Sequence, residues 1–301
     1  MQEKKVLSKK KEINPRDVTT CEATAQMLEK AKRDGVEMAF DRAAAMKACP
    51  IGADSACCKH CSMGPCRLSS KDPYGKVGVC GATIDTIQAR NFARMVASGA
   101  AAHTDHGMAM GDLFREVVNG HIKEYRIKDI NKLIQVAQSI GIETEDREIK
   151  DIAMDLYHEL ERTYTQVEGE IPFAKRVPEK TLETWRKLGI VPRGAMREIM
   201  ELMHRTHMGV DQHYENITKQ CSRTALADGW GGSMVATEIS DILFGTPSPV
   251  AIEVNMGVLK EDQVNIIIHG HEPNLFESIV ESVNEPTLVQ AAKDAGAKGI
   301  N

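Results

Sequence analysis

Six of the eight cysteines are the residues best suited to chemistry, because they fall close together in the first third of the chain. The opening residues are charged and lack the apolar stretch of a signal peptide, so we expect a cytoplasmic protein. In a reducing compartment, clustered thiols indicate metal binding rather than disulfides. Cys21 and Cys221 stand apart and are expected to be small buried residues. The six clustered cysteines are Cys49, Cys57, Cys58, Cys61, Cys66 and Cys80.

The spacing of four of these cysteines suits one iron–sulfur cluster. Cys58 and Cys61 have two residues between them, so both sulfurs can reach the same cluster. Cys66 and Cys80 complete a set of four ligands. Structural zinc is the alternative, although zinc sites usually have two such closely spaced pairs and this segment has one. The spacing therefore favours iron and sulfur over zinc.

Cys49 and Cys57 are the remaining pair. Adjacent residues of an extended chain point their side chains in opposite directions, so Cys57 should face a different centre from Cys58. Two cysteines fill only half of the ligand positions of a cluster. A two-fold symmetric dimer presents each residue twice around its axis, so a partner subunit would supply the same pair again. The pattern predicts an iron–sulfur cluster that bridges two copies of the chain.

Histidines at two places can move protons or bind metal near neutral pH. His103 and His106 share one face at the end of a predicted helix, where they could relay protons or simply be partly exposed helix residues. His269 and His271 directly follow a predicted strand over 264–268. Ligands of open α/β sheets bind beyond the carboxyl ends of strands, so a role as metal ligand or acid–base group is expected there.

The elements that position these residues are mostly helices up to about residue 245. Apolar residues recur at helical spacing in this part of the chain, whereas the cysteine segment is rich in Gly, Pro, Ser and Asp and is expected to be a loop. No sheet is expected in this part. The predicted helices cover about 20–32, 38–46, 83–102, 130–140 and 149–160.

A different pattern follows the turn-rich residues 244–249. The β-branched residues 264–268 suit a strand that is covered on both faces. Helical patterns over 275–283 and 288–295 come next, and 298–301 suits the entry to a second parallel strand. The end of the chain therefore resembles the beginning of a βαβ arrangement.

These patterns predict a mainly α N-terminal helical domain over residues 1–246, followed by the start of an α/β Rossmann-like domain over 247–301. One strand and a half cannot bury both faces of a parallel sheet. We therefore expect this chain to be the front part of a longer protein, or to need a second polypeptide.

The composition excludes several classes of protein. The 301 residues are 42% hydrophobic, which is enough to bury a core. Lys and Arg number 38 against 43 Asp and Glu, and this mild net charge of −5 does not favour nucleic-acid binding. No apolar stretch has the length that a membrane span requires.

Five motifs in order make the chain resemble the anaerobic nickel–iron carbon monoxide dehydrogenases. The resemblance covers roughly residues 20–301 and matches about the N-terminal half of the family's chain. In that family a helical domain holds the electron-transfer clusters, and two Rossmann-like domains follow. The motifs are CCKHCSMGPCR at 57–67, GVCGA at 78–82, AAAHTDH at 100–106, DILFGTP at 241–247 and HGHEP at 269–273.

The resemblance implies three metal clusters. His271 would be the histidine ligand of the nickel–iron–sulfur C-cluster, a Ni-4Fe-4S centre, and the family's remaining C-cluster ligands are cysteines further along than Asn301. His103 and His106 would begin a proton relay, which in this sequence is shorter or uses Asp112. The [4Fe-4S] B-cluster would be held by Cys58, Cys61, Cys66 and Cys80, and the D-cluster shared between subunits by Cys49 and Cys57.

The activity that the resemblance implies is the reversible oxidation of carbon monoxide with water to carbon dioxide. Electrons would pass through the clusters of a homodimer to ferredoxin, and acetyl-CoA synthase is a further candidate partner. Three alternatives remain. They are a truncated, non-catalytic iron–sulfur electron-transfer fragment, a protein like the hybrid-cluster hydroxylamine reductases, and a zinc-bound interaction module.

Overall fold

The computed structural model describes residues 14–46, 49–249, 259–268 and 273–301. Helices dominate the described part of the chain, as expected, and its one sheet has two strands. The chain divides into two compact units, the first ending at Asn91 and the second beginning at Phe92. This division does not coincide with the domain boundary that we expect between residues 246 and 247. That domain boundary stays a prediction.

In its described residues the first unit contains three short α-helices before the hairpin. Gly35 lies just beyond the first of them with φ at +71°, a conformation that glycine adopts readily, so the predicted end of this helix is confirmed. Cys21 immediately precedes the same helix and is exposed, so the expectation that it is buried was wrong. These helices are α1 (Glu22–Arg33), α2 (Ala39–Ala45) and α3 (Pro50–Ala53).

The cysteine segment contains a β-hairpin, so the expectation of loop alone was wrong. Strand β1 (Cys57–Cys58) pairs antiparallel with β2 (Cys66–Arg67). The backbone N–H of Leu68 also donates to the carbonyl oxygen of Ala56 at 3.0 Å. Two-residue strands are too short to show the alternating pattern by which a sequence reveals a strand, which is why this pairing was missed.

Helix α4 (Ile84–Val118) is longer than the sequence predicts. We expected it to end in the small residues around 99–102, yet it continues for four further turns. One glycine costs a helix only about 1 kcal/mol. Met110 and Phe114, one turn apart and both 1% exposed or less, supply a buried face that outweighs this cost.

The second unit is built around one apolar core. Leu133, Ile152, Leu160 and Ile239 are among its fully buried members, and these four residues come from three different helices. In the described residues no helix combines the length and the apolarity that a bilayer crossing requires. Besides the rest of α4, this unit contains α5 (Ile130–Ser139), α6 (Ile149–Thr165), α7 (Glu179–Leu188), α8 (Ala195–Arg205), α9 (Tyr214–Ala227), a π-helical segment (Asp228–Ser233), α10 (Met234–Phe244), α11 (Pro273–Val283) and α12 (Pro286–Asp294).

The last described residues show the expected parallel pairing. Val264 pairs with Ile300 in a parallel bridge, and the N–H of Ile266 donates to the carbonyl oxygen of Asn301 at 2.9 Å. Helices α11 and α12 lie between the two paired segments in the sequence, as the pattern predicts. Ile267, expected in a covered strand, is 76% exposed in the described structure. The Rossmann-like domain itself stays a prediction.

Candidate metal centre

The hairpin brings two of the predicted ligands side by side. Cys58 lies opposite Cys66 and Cys57 lies opposite Arg67. Because neighbouring residues of a strand point to opposite faces, Cys57 is directed away from Cys58, as the sequence indicates. Cys58 is buried, whereas Cys57 is half-buried. The hairpin thus separates the two cysteines of the Cys-Cys pair.

A small apolar cluster packs against several of the cysteines. Cys58 is itself one of its buried members, and the half-buried Cys66 and Cys80 pack against it. Apolar surroundings strengthen electrostatic interactions and exclude water from the sulfur atoms. The other buried members of this cluster are Ala56, Leu68, Ala82, Ile84 and Ile87.

The backbone passes close to the cysteines at Gly64 and Gly78, and at Gly64 the approach requires glycine. A Cβ atom on Gly64 would lie 3.0 Å from the carbonyl oxygen of Cys58, and so no side chain fits there without a shift. A Cβ atom on Gly78 would lie 3.6 Å from the Sγ of Cys66. The chain therefore runs past the Cys66 sulfur at contact distance, which leaves its amides near the sulfurs.

Two hydrogen-bond donors point at sulfur atoms of this segment. The backbone N–H of Val79 donates to the Sγ of Cys66 at 3.4 Å. The Nη1 of Arg90 donates to the Sγ of Cys80 at 3.6 Å. Donors at these distances stabilise negative charge on sulfur, the form in which cysteine binds metal.

Polar side chains of α4 fix the backbone that leads into the hairpin. The Nδ2 of Asn91 donates to the carbonyl oxygens of Ser55 at 2.9 Å and Cys57 at 3.2 Å. Its Oδ1 lies 2.8 Å from the Nε2 of His60. Gln88 donates from Nε2 to the carbonyl oxygen of Asp54 at 2.8 Å. Sequence reasoning missed these residues, because polar side chains on a helix usually face solvent.

Cys49 differs from the other cysteines of the segment because it is exposed and immediately precedes α3. The backbone N–H groups of Gly52 and Ile51 hold the pKa of its thiol below the ordinary value, and the positive charges of Arg67 and Lys59 act in the same direction. The Cys49 sulfur is thus accessible, and its neighbours favour the thiolate form.

The donor set fits an iron–sulfur cluster. Cys58, Cys61, Cys66 and Cys80, hereafter the four-cysteine set, are all free thiols in this structure. In the ranges that the structure describes, no group of three or more His, Cys, Asp or Glu side chains is arranged to hold one metal ion. A [4Fe-4S] cluster binds four thiolates through four different iron atoms, so it does not require them to converge on one point.

The predicted proton-relay histidines belong to the second unit, where His103 has an acidic partner. Its Nδ1 lies 2.8 Å from the Oδ1 of Asp228, and both side chains are partly exposed. An ionised carboxylate can only accept, so Nδ1 carries the hydrogen and the tautomer of the ring is set. His106 lies three residues further along α4 and is half-buried. His269 and His271 lie outside the described residues.

Asp228 reaches His103 because the π-helical segment packs directly on α4. A Cβ atom on Gly232 would lie 2.8 Å from the carbonyl carbon of His103, and one on Gly107 would lie 3.0 Å from the carbonyl oxygen of Gly232. The two backbones therefore touch at glycines. π-Helical turns often occur at functional sites. The sequence DGWGGS at 228–233 contains the signal for this approach, paired glycines, which the sequence analysis did not use.

The chain belongs to the Prismane/CO dehydrogenase family, whose model matches residues 56–301. The matched range contains the hairpin, the four-cysteine set and the His103–Asp228 pair. Cys49 precedes it.

Individual relatives agree with this family. Carbon monoxide dehydrogenase 1 of Methanosarcina mazei is 48% identical over 283 residues, covering 93% of this chain and 45% of that protein. The Moorella thermoacetica carbon monoxide dehydrogenase/acetyl-CoA synthase subunit beta is 41% identical over 290 residues, covering 95% of this chain and 43% of that protein. A nickel-free crystal structure of carbon monoxide dehydrogenase from Thermococcus sp. AM4 matches with a TM-score of 0.87 and 41% identity, covering 98% of this chain and 47% of that one. The chain thus spans a little under half the length of these relatives.

The glycine contact between the π-helical segment and α4 gives a test of this packing. Gly232→Ala forces a methyl group against the His103 backbone, so we expect the free energy of unfolding to fall by about 1–3 kcal/mol in urea titrations followed by circular dichroism. Gly229→Ala, in the same segment, meets nothing within 4 Å and is the matched control. Equal losses in the two variants would contradict the close approach.

Proposed function

We propose that this chain acts as a carbon monoxide dehydrogenase, which catalyses CO + H2O → CO2 + 2 H+ + 2 e−. The observation that carries the proposal is the hairpin that sets Cys58 beside Cys66, together with the hydrogen bonds that the sulfurs of Cys66 and Cys80 accept. Relatives that carry this name, at 48% and 40% identity over more than nine-tenths of the chain, support the same activity. The reaction would take place in the cytoplasm.

The four-cysteine set would hold the [4Fe-4S] B-cluster. Cys58 and Cys66 start from neighbouring positions on the hairpin, and Cys80 follows on the loop that passes the Cys66 sulfur. The Val79 amide and the Arg90 guanidinium would stabilise the anionic thiolates. Zinc competes less well for this set, because it would need all four sulfurs around one ion.

Cys49 and Cys57 would share the D-cluster with the same pair of a second copy, in a homodimer. Two features of the structure support this role. Cys49 is exposed, and Cys57 points to the face of the hairpin opposite Cys58. A two-fold axis near this face would complete the four ligands that neither chain has alone.

His271 would bind the nickel–iron–sulfur C-cluster. When loaded, the C-cluster would supply the site where carbon monoxide is bound and oxidised, and the two iron–sulfur clusters would carry the electrons away. His103 and Asp228 would take part in proton transfer. The Nδ1–H of His103 donates to Asp228, so its Nε2 would accept a proton, and the carboxylate would stabilise the resulting imidazolium. His106 would take the proton onwards.

Two partner proteins are proposed, one because the reaction releases electrons and one because of the name of a relative. Ferredoxin is the proposed electron acceptor. Acetyl-CoA synthase is the second proposed partner, supported by the Moorella relative, which is named as a subunit of a carbon monoxide dehydrogenase/acetyl-CoA synthase. A hydroxylamine reductase activity is less favoured, because the similar proteins reported above are carbon monoxide dehydrogenases. A non-catalytic electron-transfer fragment would keep the cysteine clusters and lack CO oxidation.

Iron content tests the B-cluster assignment. After anaerobic reconstitution, Cys66→Ala should lose about four irons per chain together with the paramagnetic signal of the reduced cluster. Cys221→Ala is the matched control, since Cys221 is buried in the second unit, as expected, and burial raises its pKa to about 11. A colourless wild-type chain that holds stoichiometric zinc would refute the assignment.

Asp228 tests the proposed reaction. In anaerobically prepared, nickel-loaded protein to which the downstream cysteine ligands of the C-cluster have been supplied, Asp228→Asn should lower CO-dependent reduction of a viologen dye by about 10²–10⁴-fold, because the amide no longer fixes the tautomer or stabilises the protonated ring. Asp105→Asn changes an exposed carboxylate between the two histidines and should leave the rate near that of wild type. An undiminished rate in Asp228→Asn would contradict the proton-transfer role, and wild-type protein that has the downstream ligands and nickel but does not oxidise CO would overturn the proposed function.

A further inference from the structure

Arg90 is a buried cation beside the cysteines, and it donates a hydrogen bond to one of the four predicted B-cluster ligands. It lies on α4, and its side chain is 1% exposed. Its neighbours Thr86 and Ile87, one turn earlier on the helix, are also fully buried. A charge in such a place is costly unless an anionic or hydrogen-bonding partner compensates it. The Sγ of Cys80, 3.6 Å from Nη1, is such a partner once it is a thiolate.

We propose that Arg90 is a positioning residue that raises the reduction potential of the cluster bound by the four-cysteine set. This inference rests on the proposed function, because it requires that the set hold a [4Fe-4S] cluster. Arg90 would touch one ligand, Cys80, and would act on the cluster through that sulfur. Its hydrogen bond would also fix the position of the Cys80 side chain.

The direction of the effect follows from charge. Taking up one electron adds one negative charge to the cluster and its thiolates. The positive charge of the arginine side chain does not change when the cluster is reduced. A buried cation therefore stabilises the reduced cluster more than the oxidised one. The N–H···S hydrogen bond acts in the same direction, because it draws electron density from the sulfur.

Position distinguishes Arg90 from the other donors and cations of the segment. The Val79 amide also donates to a ligand sulfur, but it carries no net charge. Lys76 and Arg67 are charged but exposed, so water screens them. Low local polarity strengthens the interaction of a buried charge with its neighbours. Arg90 combines full charge, burial and direct contact with a ligand.

Redox titration of the full chain tests this proposal. The chain is reconstituted anaerobically with iron and sulfide and titrated with dithionite in the presence of mediators, and the reduced cluster is followed by electron paramagnetic resonance. The signal that Cys58→Ala removes identifies the cluster of the four-cysteine set. Arg90→Met should shift its midpoint potential to a more negative value, and Arg90→Lys, which keeps the charge but not the planar fork, should give a smaller negative shift. Lys76→Met removes the same charge from an exposed site and should leave the potential unchanged.

The outcomes separate the role of Arg90 from the cluster assignment and from the proposed function. A potential in Arg90→Met equal to that of wild type, or a shift in Lys76→Met as large as that in Arg90→Met, would overturn the role of Arg90 while leaving the cluster assignment intact. If Arg90→Met fails to fold or to bind iron, Arg90→Lys decides alone, and an unchanged potential in that variant overturns the proposal. A wild-type chain that takes up no cluster would instead overturn the proposed function.

Discussion

The pairing of β1 with β2 is only two residues long on each strand, and the arrangement of the cysteines depends on it. It sets Cys58 beside Cys66 and turns Cys57 to the other face. An isolated two-stranded hairpin is marginally stable in water, so this one needs support. Asn91 and Gln88 donate hydrogen bonds to the backbone that precedes β1, and the apolar cluster around Cys58 buries part of the hairpin. A bound cluster would stabilise the hairpin further, because the free energy of metal binding to a folded site contributes to the free energy of folding.

Helix α4 carries the residues that serve both candidate sites. Its first turns contribute Gln88, Arg90 and Asn91 to the cysteine segment, and a later part carries His103 and His106. Within each unit, a regular helix fixes the direction of the side chains along it, so its residues are held more rigidly than loop residues would be. The π-helical segment performs the equivalent task for Asp228, which it presents to His103 through a glycine contact.

Much of this organisation could be predicted from the sequence. Adjacent cysteines indicated the opposite direction of Cys57, whereas the four-cysteine set as ligands stays a prediction. Hydrophobic periodicity indicated α1, α2, α4, α5, α6, α11 and α12 but not the helices from α7 to α10. The hairpin was missed because two-residue strands leave no periodic signal. The length of α4 was missed because its small residues resemble a helix end, whereas burial further along sustains the helix. Asp228 could not be paired with His103, since 125 residues separate them and a single sequence contains no record of such contacts. The role of His271 and the domain boundary stay predictions.

Anomalous X-ray scattering at the iron absorption edge tests the central claim most directly, because it locates iron without depending on activity. Crystals of the anaerobically reconstituted chain should show one compact anomalous peak bounded by the Sγ atoms of Cys58, Cys61, Cys66 and Cys80. The peak should be strong just above the iron edge and should weaken below it. A peak among these sulfurs that appears only above the zinc edge, or the absence of iron among them, would contradict the account.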